Sequence, residues 1–383
     1  MLFTREALER IEQQTLAPYG FRSQGSKGRA HPDDEPDFRT CFQRDRDRII
    51  HTTAFRKLEY KTQVFVYSEG DYYRTRLTHT LEVAQIGRSL AVALGANEAL
   101  VEAVCLAHDL GHPSFGHAGE QTLNRLMADH GGFDHNKQSL RIVETLERRY
   151  PDFPGLNLSW EVLEGIVKHE TEYDIADASR FEPDKRGSLE AQLANPADEL
   201  AYTAHDLDDG LRSGLITIEE LAGLTLWEAL KTSVGWDGRD FNRMWRHRMV
   251  RRLLGLLVTD VVTATSTRID SASIASVEAV RSHTANVVAL SASMADQVKE
   301  LKTFLYQRLY RHPRVMRMQT KAERVITALF EAYITEPAQL PREQQAQLEG
   351  HTLHRVVCDY IASMTDRYAL QEYAKLFDPL EPV

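Results

Sequence analysis

The chain has 383 residues, 42% of them hydrophobic and 27% charged, with a formal net charge of −10. That length supports one large domain or two, and the composition is that of a globular protein. The acidic balance argues against nonspecific nucleic-acid binding over the whole surface. No apolar run approaches the roughly 20 residues of a membrane span. The opening MLFTREALER carries charge where a signal peptide is apolar, so a cytoplasmic location is expected. Cys41, Cys105 and Cys358 are far apart and unpatterned, which predicts reduced thiols and not a cysteine zinc site.

In chain order, SQGSKGRAHPDDEPD (residues 23–37) is rich in Gly, Pro, Ser and charge. It predicts a mobile loop whose Lys27 and Arg29 could close over an anion. Basic residues then gather between Arg39 and Arg76. They form either a confined anion site or a helical face paired with Asp45, Asp47 and Glu59. TQVFVY at 62–67 is the best strand candidate. Apolar residues recur at helical spacing through Leu81, Ala84, Leu90 and Leu94, giving a helix over 79–94 that ends at Gly95. Asn97 is a suitable N-cap for the next helix, NEALVEAVCLAHDL. Further helices are predicted near 118–129, 138–149, 159–169, 196–213, 240–264, 273–309, 319–335 and 350–375, with a polar loop at 170–188. The fold class is therefore expected to be all-α.

HDLGHPSFGH (108–117) packs three histidines and an aspartate between glycines and a proline. Six of the fifteen histidines fall between His79 and His135, which favours a metal or catalytic centre over six separate structural roles. His79 stands near the start of one predicted helix, and His108 and Asp109 near the end of the next. An antiparallel pair joined by a tight turn brings such ends together. Imidazole and carboxylate without thiolate suit Mn²⁺, Fe²⁺, Zn²⁺, Co²⁺ or Ni²⁺. A fourth ligand can come from ADELAYTAHDLDDG (197–210), where Asp198, Tyr202 and either His205 or Asp206 share one helical face. The competing reading is a polar stripe facing water. His117 and Glu120, three apart, would be helical neighbours, an arrangement suited to a general acid. Gly111, Gly116 and Gly119 would let backbone approach a ligand, and Pro113 would stop the preceding helix.

His79, His108-Asp109 and Asp198 together form the H…HD…D pattern of the HD-domain metal-dependent phosphohydrolases. The resemblance extends to FQRDRDRIIHTTAFRKLEYKTQVF, GDYYRTRLTHTLEVAQIGRSLA, AHDLGHPSFGHAGEQTLN, GGFDHNKQSLRIVETLERRYP, GLNLSWEVLEGIVKH, DELAYTAHDLDDG and LYQRLYRHPRV. From about residue 25 onward the chain resembles the bacterial deoxyguanosine triphosphate triphosphohydrolase-like branch. Asp134 stands where that branch often has Glu, and Ser114 where Pro is common; neither change removes a candidate ligand.

The resemblance implies an all-α HD-domain core with an additional C-terminal helical region. It divides the sequence into an N-terminal basic segment and loop packing on the core (1–68), the HD core (69–215) and C-terminal helices (216–383). It implies His79, His108, Asp109 and Asp198 as ligands of a divalent ion, Mg²⁺ joining the metals above. His117 would be the catalytic acid, Glu120 its carboxylate partner, and His112 and His135 further active-site residues. Arg76 would contact the α-phosphate, and Gln63, Tyr202 and Asp206 would surround the deoxyribose. The implied reaction cuts a dNTP, with dGTP accepted, into deoxynucleoside and triphosphate. A homo-oligomer, hexamers included, is implied, and a dNTP activator and single-stranded DNA stay open as further partners; a membrane is not among them. Two alternatives stand beside this. One is an HD phosphohydrolase acting on nucleoside monophosphates or cyclic nucleotides. The other is a single-stranded nucleic-acid-binding regulator that kept the fold.

Overall fold

A computed structural model of the protein describes residues 2–63, 74–169 and 179–382. Among the described residues it contains seventeen α-helices, no β-strand and three isolated β-bridges. The all-α expectation holds. The strand candidate at 62–67 lies outside the described residues from 64 onward; Thr62 makes an isolated antiparallel bridge with Thr75. Residues 170–178 of the loop expected at 170–188 are likewise outside. The chain forms two compact units, each discontinuous in sequence. One comprises residues 1–49, 79–106 and 157–312, the other 50–78, 107–156 and 313–383. Both units draw on all three sequence segments, 1–68, 69–215 and 216–383.

In the first unit the helix Leu189–Ser213 packs against Arg243–Ser271. The latter buries Met249, Leu253, Leu257, Val261, Thr265 and Ile269, one residue every four, which makes a continuous ridge along one side. Asn242 caps it by accepting the Met244 and Trp245 amides at 2.9 and 3.2 Å. Leu189–Ser213 begins seven residues before the expected start at 196. Ser188 Oγ caps it by accepting the Ala191 N–H, and Pro196, the expected boundary, lies inside. Buried Leu189, Leu193, Ala197 and Leu200 hold the earlier turns despite the proline. The stretch 273–309 is not continuous either. Ser276 and Ser291 cap separate helices, Val277–Arg281 and Ala292–Leu305, and a π-helical turn, Tyr306–Tyr310, follows.

The loop 23–37 and the basic residues after it are largely satisfied within this unit. Arg29 is buried, hydrogen-bonds Asp45 and donates to Glu35 at 2.6 Å, so it is not poised over an outside anion. Lys27 lies 3.5 Å over the Trp160 ring and 3.2 Å from Glu182. On the helix Cys41–Ile50 and just before it, Arg44 and Arg48 bond Asp33, Arg39 bonds Asp47, and Arg46 bonds Asp47 and Glu102. This part of the basic segment is the acid-paired face, not the anion site.

The second unit has its own core. Phe115, Leu123 and Met127 pack with Ile326, Leu329 and Phe330 of the helix Pro313–Thr335. Val356, Val357 and Ile361 of Leu353–Ala362 complete it. The expected single helix at 350–375 is two, because Thr365 Oγ1 accepts the Tyr368 N–H and starts a new helix, Asp366–Phe377.

Candidate metal centre and active site

In the second unit, HDLGHPSFGH leaves the helix Glu98–Ala107 as a run of turns. Ser139 ties it down: its hydroxyl donates to the His108 carbonyl at 2.9 Å and accepts the Gly111 N–H at 2.8 Å. A Cβ on Gly111 would lie 2.1 Å from the His135 carbonyl oxygen, and one on Gly119 would lie 2.0 Å from that of Ser114. These two glycines thus admit the protein's own backbone, where the sequence pointed to a ligand. At the end of the run Phe115 takes φ 62°, a left-handed conformation that costs a non-glycine residue about 1–2 kcal/mol. Its ring is buried in the core just described.

The next residues begin the helix Gly116–Leu126, which carries His117 and Glu120. His117 Nδ1 and Glu120 Oε2 are 3.3 Å apart. Glu120 Oε1 accepts the His135 backbone N–H at 2.9 Å and lies 2.7 Å from His135 Nδ1. Burial alone would raise the Glu120 carboxyl, but the His135 charge and the hydrogen bonds from His117 and His135 outweigh it and hold the group well below the usual range. Glu120 is therefore an anion between two imidazoles. His117 is 48% exposed at its side chain, so the imidazole that Glu120 orients can reach a ligand. His112 is buried and stacks on His135 with centroids 4.0 Å apart. Burial, then Arg76 and the neighbouring histidines, push it well below the ordinary histidine value, which makes it a neutral imidazole. His112, His117 and Glu120 bring donor atoms within 4.8 Å of one another, a grouping a cation could also occupy.

Two cations of the basic segment do point into this unit's interior. Arg76 Nη1 donates to Asp109 Oδ1 at 2.7 Å, both groups buried. Lys61, which sequence reasoning did not single out, donates to the carbonyls of His112 at 2.5 Å and Ala362 at 3.1 Å. Its burial pushes it down to about 7. Gln63 stands at the edge of the described residues, its Oε1 buried with no hydrogen-bond partner among them.

In the first unit, Leu189–Ser213 presents the predicted stripe. Asp198 Oδ1 is 2.9 Å from His79 Nε2, and His205 Nδ1 is 3.2 Å from His79 Nδ1. Asp206 Oδ2 accepts the Tyr310 hydroxyl at 2.6 Å, and Tyr310 also hydrogen-bonds Tyr202. Burial, set against the Tyr310 hydrogen bond, pushes Asp206 up to about 7. Both sequence alternatives therefore lie on the stripe: His205 joins its His79 end and Asp206 its tyrosine end. Sequence reasoning missed two residues here. His169 Nε2 is 3.8 Å from Asp198 Oδ2, and its signal was the closing histidine of GLNLSWEVLEGIVKH. Tyr310 lies within LYQRLYRHPRV, which carried no chemical signature of its own.

The donor chemistry fits a divalent first-row ion. His79 and the partly buried Asp198 form an imidazole–carboxylate pair in one unit, and His108 and Asp109 are consecutive and buried in the other. This is a nitrogen and oxygen set without thiolate.

Residues 76–203 match the HD domain family, and residues 288–375 match the phosphohydrolase-associated domain. The fold is accordingly that of an HD-domain protein. The chain is 51% identical over 382 residues to a deoxyguanosinetriphosphate triphosphohydrolase-like protein of Geobacter sulfurreducens, covering 99% of each. It is 49% identical to the one of Deinococcus deserti, covering 100% of this chain and 99% of the relative. It is 50% identical to the one of Ralstonia nicotianae, covering 94% of each. The chain belongs to the deoxyguanosinetriphosphate triphosphohydrolase-like family.

Proposed function

We propose that the protein is a metal-dependent hydrolase of deoxynucleoside triphosphates, dGTP among them, releasing deoxynucleoside and intact triphosphate. The observation that carries the reading is Glu120, a partly buried anion held between His117 and His135 on a helix that leaves the His117 ring accessible. A carboxylate so placed holds the imidazole in one orientation, as a general acid requires.

His79, His108, Asp109 and Asp198 would hold the ion, one of Mg²⁺, Mn²⁺, Fe²⁺, Co²⁺, Ni²⁺ or Zn²⁺. When bound, the ion supplies Lewis acidity toward a phosphoryl oxygen and an attacking water. His117 gives its proton to the departing 5′-oxygen. Glu120 orients that imidazole, His135 fixes Glu120, and the neutral His112 lines the same site. Arg76 meets the α-phosphate oxygens and offsets their charge as the ester bond breaks. Gln63, Tyr202 and Asp206 receive the deoxyribose. No helix among the described residues is long and apolar enough to cross a membrane. The same reading places the protein in the cytoplasm as a homo-oligomer, with a dNTP activator and single-stranded DNA as further ligands to assay.

The test is product identity. The protein is mixed with Mn²⁺ and each dNTP, singly and pooled, and phosphorus species are resolved by NMR. Triphosphate with deoxynucleoside is the expected outcome. Orthophosphate or pyrophosphate would mean another bond is cut, and no product would turn attention to monophosphates or to a binding role.

A further inference from the structure

Asp366 lies 251 residues after Phe115 in the chain, and both belong to the second unit. Its carboxylate is fully buried at the start of the helix Asp366–Phe377. Oδ1 accepts the Phe115 N–H at 2.8 Å. Oδ2 accepts the Thr62 N–H at 3.0 Å and also the Thr62 hydroxyl. Phe115 occupies the N-cap position of the helix Gly116–Leu126 without capping it through its own side chain, and it holds the left-handed φ of 62°. A strained residue at such a junction keeps its conformation only where its surroundings hold it. Here a carboxylate from a distant segment takes its amide, and a buried ring anchors it in the core.

We propose that Asp366 is a positioning residue for the reaction: by fixing the Phe115 amide it sets the Phe115–Gly116 turn and hence the direction in which the helix presents His117 and Glu120. The inference rests on the reading of His117 as the acid. The chain around Asp366 reinforces the same segments. Lys61 links the Ala362 and His112 carbonyls, Lys57 donates to the Ser363 carbonyl at 2.8 Å, and Asp359 accepts from Gln138 at 3.2 Å and from Arg141 at 2.8 Å. Gln138 and Arg141 lie on the helix His135–Arg141. Residues 359–366, within the phosphohydrolase-associated match, thus tie together Thr62, the turn before His117 and the helix that begins at His135.

The experiment is a double-mutant cycle between Asp366→Ala and His117→Ala, measured with metal content alongside. In the parent background Asp366→Ala lowers kcat at least about tenfold with KM held within about threefold, as for a group felt only in the transition state. Metal content stays at the parent level. In the His117→Ala background the same substitution causes no further fall, because a residue that acts through His117 has nothing left to position. Asp366→Asn, which keeps one carbonyl oxygen for the Phe115 amide, recovers most of the lost turnover. An equal fold loss in both backgrounds, or parental kcat in Asp366→Ala, overturns the proposal. If Asp366→Ala does not fold, Thr62→Val, which removes one hydroxyl donor, is taken through the same cycle. It is expected to cause a smaller loss that also vanishes without His117, and parental kcat or an equal loss in both backgrounds counts against the proposal there too. Failure of the functional reading looks different: the parent releases no triphosphate, or His117→Ala alone keeps its turnover.

Discussion

Arg76 and Asp109 form a buried ion pair, Nη1 to Oδ1 at 2.7 Å, with neither side chain more than 4% exposed. Removing one member of such a pair leaves an uncompensated charge away from water, which costs about 3–5 kcal/mol. Asp109→Ala is therefore expected to lower the urea midpoint even with a chelator present, through Arg76 alone. Under the ligand assignment it also loses the ion by elemental analysis. An unchanged midpoint in chelator would show that Arg76 finds another partner, and a fully loaded variant would remove Asp109 from the ligand set.

His117→Ala tests the acid. The imidazole is half exposed, with its ring edge-on to that of His112 at 5.3 Å. The variant is expected to fold and keep its metal, with turnover reduced by ~10²–10⁴-fold, the range for general acid catalysis. Turnover equal to the parent at neutral pH would dismiss the role.

Glu120 titrates in a direction fixed by its partners. Its carboxyl lies well below the ordinary value of 4.5 because His135 and His117 favour the anion. A depressed carboxyl contributes stability that is complete above the unfolded value and is lost as pH falls below it toward the folded one. As pH falls from about 4.5 toward about 3, the parent should lose more stability than Glu120→Gln, read from urea midpoints at each pH. Parallel acid losses in the two proteins would contradict the assignment.

Gly111 and Gly255 make a matched pair of opposites. A Cβ at Gly111 would meet backbone atoms of His135 and Ser139 at 2.1 and 2.3 Å, whereas one at Gly255 meets nothing within 4 Å. Gly111→Ala is expected to cost at least about 1–3 kcal/mol by forcing backbone apart, and to reduce turnover by disturbing the helix that begins at His135. Gly255→Ala, inside Arg243–Ser271, should raise stability by roughly 0.5–1 kcal/mol with turnover unchanged. Thermal midpoints moving the same way in both variants would refute the comparison.

Local chemistry was the legible part of the sequence. His117 and Glu120 are three apart on one helix, so their contact follows from helical geometry alone. The stripe Asp198, Tyr202, His205 and Asp206 was readable for the same reason. Contacts closed by distant segments were not. Tyr310 reaches Tyr202 and Asp206 from more than a hundred residues away, and Asp366 reaches Phe115 from farther still. No spacing rule anticipates either. Helix ends were misread where a weak cap competed with a strong period. The Ser276 and Ser291 caps broke the apolar rhythm of 273–309, while Pro196 looked like a boundary because its missing amide is a local fact and the burial that overrides it is not. Arginine alone could not reveal its partner: Arg29 looked available to a ligand and is bound to Asp45, while Arg76 from the same basic segment enters the candidate site.

The second unit's discontinuity also has a consequence for the protein's synthesis. Its core packs Phe115, Leu123 and Met127 against a helix that begins only at Pro313. At synthesis rates of ~5–20 residues per second, the ribosome needs roughly 10–40 s to make the intervening chain. Throughout that interval the apolar side of Gly116–Leu126 lacks its native cover, and no fragment ending before the helix Pro313–Thr335 can complete this core. Intolerance of premature termination in the C-terminal region follows from topology alone, whatever the substrate.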